Sequence, residues 1–106
     1  MAPTSPIIQV SGEIDLATQD AMADQIFARL EHRPESLVID LSGVQFIDST
    51  GISVLIRAFQ AAQKIPTRLR IVVNTPPVTN PLRLTGLTEY LPLSASVAEA
   101  MDFLNG

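Results

Sequence analysis

The sequence predicts a small α/β domain, with a mixed or mostly parallel sheet of about four strands flanked by helices. Three observations lead there. Short β-branched apolar runs alternate with stretches whose apolar residues recur at helical spacing. Proline, glycine and asparagine stand between these segments as breakers. The chain has 106 residues, 46% hydrophobic and 17% charged, against a usual charged share of about 25%. That is enough for one core and too apolar for a disordered tail.

Residues 1–6 read as a loose lead-in, since Pro3 and Pro6 oppose a helix, and 7–106 as the domain. Ile7 to Val10 is a strand closed by Ser11-Gly12. From Asp15, placed as an N-cap, Leu16, Ala23, Ile26, Phe27 and Leu30 form a helical stripe that Pro34 ends. Leu37 to Leu41 carries the signal of a buried strand. Ile52, Leu55, Ile56 and Phe59 repeat at i, i+3, i+4 and i+7, a second helix running to Lys64 before Pro66. Leu69 to Val73 is the third strand, stopped by Asn74 and Pro76-Pro77. A short helix over Asn80 to Leu84 and a weak strand over Tyr90 to Leu93 follow. Ser96 and Glu99 are spaced as a capping box for a last helix carrying Val97, Ala100, Met101 and Leu104.

Composition removes several function classes. Seven basic against eleven acidic residues give a net charge of −4, the wrong sign for a nucleic-acid binder, and the basic residues form no block. Cysteine is absent, which excludes disulfides, thiolate metal sites and thiol chemistry. The lone histidine, His32, has no ligand spacing around it and suits the C-terminal end of the first helix. No apolar run approaches the ~18 residues of a membrane span. The first residues lack the basic and apolar parts of a secretory signal. A cytoplasmic protein that does not insert into membranes is expected. No cofactor is implied.

Parallel βαβ units place the loops after adjacent strands on one rim, where open α/β sheets carry their chemistry. Here those loops are Ser11 to Asp15 and Ser42 to Gly51. Phe46-Ile47-Asp48-Ser49-Thr50-Gly51 is the one dense polar cluster that opens a strongly apolar helix. Read structurally, Asp48 or Ser49 caps that helix and Gly51 lets its first turn pack closely. Read functionally, a hydroxyl at a helix N-terminus faces unpaired N–H groups and the positive end of the dipole, a setting that tolerates a phosphate. Thr50 competes with Ser49 as acceptor, and chemistry alone does not separate them. Glu13 and Asp15 read either as solvated acids and a helix cap, or as contacts for an arginine of a partner. Ile52 and Val54 are candidates for apolar contact area.

Enzyme classes fit poorly. An aspartic-protease triplet has one hydroxyl residue between Asp and Gly, and here two intervene. Asp48 as a phospho-acceptor would need further acids for Mg²⁺, and Asp40 lies inside a strand. There is no glycine-rich phosphate loop with lysine, and Ser49 has no histidine base.

Four segments taken in order, Gly12-Glu13-Ile14-Asp15, Val38-Ile39-Asp40-Leu41-Ser42, Phe46-Ile47-Asp48-Ser49-Thr50-Gly51 and Leu84-Thr85-Gly86-Leu87, resemble the STAS domain of bacterial anti-sigma factor antagonists. The resemblance runs from about residue 7 to residue 104, and its most specific part is Asp48-Ser49-Thr50-Gly51. It implies a STAS-type single domain and partner switching. The unphosphorylated protein binds an anti-sigma factor, itself a GHKL-type serine kinase, and frees a sigma factor. Phosphorylation at Ser49, less readily at Thr50, ends the binding, and a PP2C-type phosphatase reverses it. Asp48 stands beside Ser49 as an orienting group, with Thr50, Gly51, Gly12, Glu13 and Asp15 completing the motif and partner surface.

The sequence departs from the family in one place. A hairpin-connected strand usually precedes the first one, and six residues before Ile7 are too few for it, so that edge strand is expected to be shortened or missing. An unpaired edge invites association, and a monomer or weak dimer is expected. A STAS accessory subunit of an ABC-type membrane transport complex is the alternative reading.

Overall fold

The computed structural model describes residues 6–106. Strands and helices alternate as β1 (Ile7–Ile14), α1 (Gln19–Glu31), β2 (Ser36–Ile47), α2 (Ser49–Lys64), β3 (Arg68–Val72), α3 (Pro76–Leu84), β4 (Leu93–Ser94) and α4 (Val97–Asn105). The strands form one sheet in the order β1-β2-β3-β4. Every pairing is parallel, so no antiparallel strand mixes the sheet among the described residues. The edge strand at issue would precede Ile7 and falls, like the lead-in apart from Pro6, outside those residues.

Side-chain alternation on β2 divides the core. Leu37, Ile39 and Leu41 point to one face, where they pack with Met22, Ile26 and Leu30 of α1, Val54, Leu55 and Ala58 of α2, and Val78 and Leu82 of α3. Val38 points to the other face and meets Val72, Ala100 and Leu104 under α4. Two arginines of β3 hold α4 down. Arg68 donates to the carbonyls of Leu104 at 2.6 Å and Phe103 at 3.1 Å, serving helix-end groups that have no partner within the helix. The Arg70 guanidinium lies 4.0 Å from the Phe103 ring centroid, at cation–π distance.

Several boundaries differ from the sequence reading, each for a physical reason. β1 does not stop at Ser11-Gly12 but continues to Ile14, because Gly12 adopts φ +83° and the register slips around it, as in a β-bulge. β2 likewise runs on from Leu41 to Ile47, so the loop expected over Ser42 to Gly51 shrinks to Asp48. The two extensions pair with each other, Ile14 opposite Ile47. β3 pairs with β2 only over Ser36 to Asp40, which leaves the β1–β2 pair projecting beyond the rest of the sheet. Pro76 and Pro77 open α3 instead of preceding it, since a first-turn N–H has no helical partner to lose. β4 begins at Leu93, and Tyr90 stands outside it, edge-on to Phe59 at 5.3 Å.

Candidate functional site

The carboxyl ends of β1 and β2 meet at the projecting rim. Glu13 lies opposite Phe46 in the ladder, and the N–H of Asp48 donates to the carbonyl of Ile14 at 3.1 Å. Glu13 and Asp15 therefore share an edge with Asp48, Ser49 and Thr50. Helix α2 starts directly on this edge. A Cβ on Gly51 would come within 2.6 Å of Ile14 Cγ2 and 2.8 Å of Ile47 Cγ1, so the close approach is open only to glycine.

Asp48 is the N-cap of α2. Its Oδ1 accepts the N–H of Thr50 at 2.9 Å, the N–H of Gly51 at 3.3 Å and the Thr50 hydroxyl at 2.5 Å. The Thr50 hydroxyl, ahead of the backbone N–H groups, holds the Asp48 carboxyl below its ordinary 3.8, against an opposing contribution from burial. A charged acceptor is stabilised by the donors it already has.

Two site readings change as a result. Asp48 does not orient Ser49, because its bonds go to Thr50 and Gly51. The helix N-terminus is also partly occupied, since Asp48 takes the N–H groups of Thr50 and Gly51 and places a negative charge at the positive end of the dipole, leaving the Ser49 N–H. Ser49 is exposed, and its hydroxyl has no hydrogen-bond partner among the described residues. Thr50 is half-buried and its hydroxyl is committed to Asp48. The structure thus separates two neighbouring hydroxyls that sequence chemistry leaves equal.

The turn from β1 to α1 is fixed by its own side chains. Asp15 Oδ1 accepts the N–H groups of Ala17 at 2.9 Å and Thr18 at 3.1 Å. The Thr18 hydroxyl accepts from the Asp15 N–H at 2.9 Å and donates to the Glu13 carbonyl at 2.7 Å. Asp15 is accordingly not the N-cap of α1, a place held by Thr18. It closes the preceding turn with the same chemistry, an Asx turn. Gly12 supplies the bulge beneath, and Glu13 is exposed.

The apolar candidates also change. Ile52 and Val54 are buried, at 8% and 0% exposure, whereas Leu16 is 74% and Phe46 47% exposed. Leu16 falls at helical spacing in the sequence, but it lies in the turn before α1 and not on the helix. Phe46 escapes the sequence reading because the bulge breaks the alternation that would assign its face. His32 ends α1 at the amino ends of the strands, on the opposite rim from Ser49. No helix of the described residues is long and apolar enough to cross a membrane.

A parallel sheet with three helices on one face, one on the other, and a capped Asp-Ser-Thr-Gly turn on its carboxyl rim defines a STAS-type domain. A family model described as the STAS domain matches residues 2–100. The crystal structure of an anti-sigma factor antagonist from Mycobacterium paratuberculosis has a TM-score of 0.88 at 34% identity, covering 94% of this chain and 85% of that one. The anti-sigma-F factor antagonist RsfB of Mycobacterium tuberculosis is 29% identical over 102 residues, 94% of this chain and 81% of the relative. The anti-sigma F factor antagonist of Paenibacillus polymyxa is 27% identical over 99 residues, 92% and 85% of the two chains. The chain belongs to the STAS family of anti-sigma factor antagonists.

Proposed function

We propose that the chain antagonises an anti-sigma factor by partner switching at the Ser49 rim. The unphosphorylated form binds the anti-sigma factor, which thereby releases a sigma factor. That partner is also a GHKL-type serine kinase. It transfers the γ-phosphoryl group of ATP to Ser49 Oγ, with ADP leaving and the hydroxyl proton passing to the kinase. A PP2C-type phosphatase hydrolyses the phosphoserine and restores binding. The names of the relatives support the antagonist reading and do not favour the transport-accessory alternative.

One observation carries the choice of residue: the Ser49 hydroxyl is exposed and unpartnered, while its neighbour is tied to Asp48. A phosphate there adds about −1.5 to −2 units of charge beside three carboxylates, Asp48, Glu13 and Asp15. Asp48 already takes the N–H groups of Thr50 and Gly51, so within the fold the charge has little beyond the Ser49 N–H to compensate it. A partner surface shaped for a neutral hydroxyl would have to desolvate it. The chain itself is read as non-enzymatic, since its one histidine, His32, stands at the opposite rim from Ser49.

The test is a pull-down with wild-type, Ser49→Ala and Ser49→Asp protein, followed by titration against the captured kinase with and without ATP. Ser49→Ala should bind constitutively and take up no phosphate, and Ser49→Asp should fail to bind. Its stability should match wild type within about 0.5 kcal/mol, because the lost hydroxyl makes no hydrogen bond. Phosphate on Thr50 with Ser49 intact would overturn the assignment.

A further inference from the structure

On the sheet face that α4 covers, the helix packs over Val38 and Val72 and leaves Gln9, Ser11, Ser42 and Gly43 exposed. These four residues and Asp40 line a recess of about 260 Å³. Asp40 is 7% exposed, yet its carboxylate makes a single hydrogen bond among the described residues, from the Ser42 N–H to Oδ1 at 3.0 Å. A carboxylate offers roughly four acceptor positions; neither Asp40 oxygen is both buried and without a partner, so the positions left over open into the recess.

The local fold explains one oxygen and not the other. Between Gln9↔Asp40 and Ser11↔Gly43, Val10 stands against both Leu41 and Ser42, so the Asp40–Ser42 bond pins this bulge. The second oxygen has no such duty. Arg70 lies on the same face, two positions before Val72, the register partner of Asp40. Its guanidinium instead serves Ser94 Oγ and the Leu93 carbonyl and stacks on Phe103. Hard metal ions fit poorly, since they want about six or more oxygen ligands with several carboxylates.

We infer that this recess is a binding site for a guanidinium group, carried by a small molecule or by an arginine side chain. A guanidinium is weakly hydrated and presents a planar fork of five donors. Asp40 supplies the matching charge, and the oxygens of Gln9, Ser11 and Ser42 supply acceptors for the remaining N–H groups. By strand rise, Asp40 and Gly43 lie roughly 20–30 Å down β2 from Ser49, while on β1 Ser11 is two residues from Glu13. A bound guanidinium therefore does not reach the Ser49 hydroxyl, and the inference does not rest on the switching mechanism.

The test is an NMR titration of ¹⁵N-labelled protein with ethylguanidinium at millimolar, non-denaturing concentration and constant ionic strength. Ethylurea serves as the neutral isostere. Ethylguanidinium should give saturable shifts at the amides of Gln9, Ser42 and Gly43, with Ser49 unmoved, and ethylurea should give none. Asp40→Asn keeps an oxygen for the Ser42 N–H and should weaken binding by about tenfold or more. If that variant fails to fold, the ethylurea comparison on wild type still decides. An acetylated arginine methylamide binding more tightly than ethylguanidinium assigns the site to a peptide arginine, and equal binding to a free small molecule. Equal responses to the charged and neutral probes, unsaturated shifts spread over the surface, or unchanged affinity in a folded Asp40→Asn would overturn the inference.

Discussion

Gly51 and Ile14 lie closer than any side chain at position 51 would allow, a Cβ there falling 2.6 Å from Ile14 Cγ2. The helix that carries Ser49 is thus seated on the end of β1 as well as on its own strand. Gly51→Ala should test this seat. Better helix propensity would gain up to about 1 kcal/mol, but forcing a methyl into a buried contact costs about 1–3 kcal/mol. Steric cost wins, and chemical denaturation should show a net loss of about 1 kcal/mol at unchanged denaturant slope.

Thr50→Val should raise the Asp48 pKa toward 3.8, because the Thr50 hydroxyl is the largest cause of its depression. The sign for stability follows from linkage. A carboxyl held low in the folded state stabilises the fold above its unfolded value and loses that contribution as acid protonates it. The advantage of wild type over Thr50→Val should therefore be full at neutral pH and shrink as pH falls below 3.8 through the depressed value. Carbon-detected NMR titration of Asp48, with denaturation at neutral and acid pH, reads both halves.

Asp15 serves the turn through one oxygen and the surface through its charge, and two variants separate these roles. Asp15→Asn keeps an acceptor for Ala17 and Thr18 and should leave stability nearly unchanged. It should weaken anti-sigma binding and flatten its salt dependence, as expected for a screened charge pair. Asp15→Ala should in addition lower stability by about 1 kcal/mol, as loss of a capping acceptor does. Unchanged affinity and salt slope in Asp15→Asn would confine its role to the turn.

Leu16→Ser tests the exposed apolar residue on the same turn. At 74% exposure the leucine contributes little to the core, so stability should stay within about 0.5 kcal/mol of wild type. If Leu16 is a contact of the partner surface, calorimetric titration should show about tenfold weaker binding, the scale of a significant interface residue.

Element type was legible in the sequence wherever periodicity was clean. Ile52, Leu55 and Phe59 marked α2, and Leu37 to Leu41 marked the centre of β2. What stayed hidden depended on the partner strand. Ser42, Gly43 and Gln45 look like loop, and they are strand only because β1 extends beside them. The same bulge shifts the two-residue alternation, which concealed the exposed face of Phe46. Within the site, residue types and order were readable, but the hydrogen bonds of Asp48 were not. Capping by Asp48 and orientation of Ser49 use the same letters, and only the three-dimensional placement of Thr50 separates them.

Among the described residues β1 is one of the two edge strands, yet it is a poor template for another chain. The surplus residues that interrupt the β1–β2 register belong to β2, but Gly12 turns the β1 backbone itself aside at φ +83°. A foreign strand aligned on the first segment would lose its pairing at Gly12. The irregularity that lets β1 reach the rim thus also protects the edge from runaway polymerisation, much as bulged edges do in other sheets.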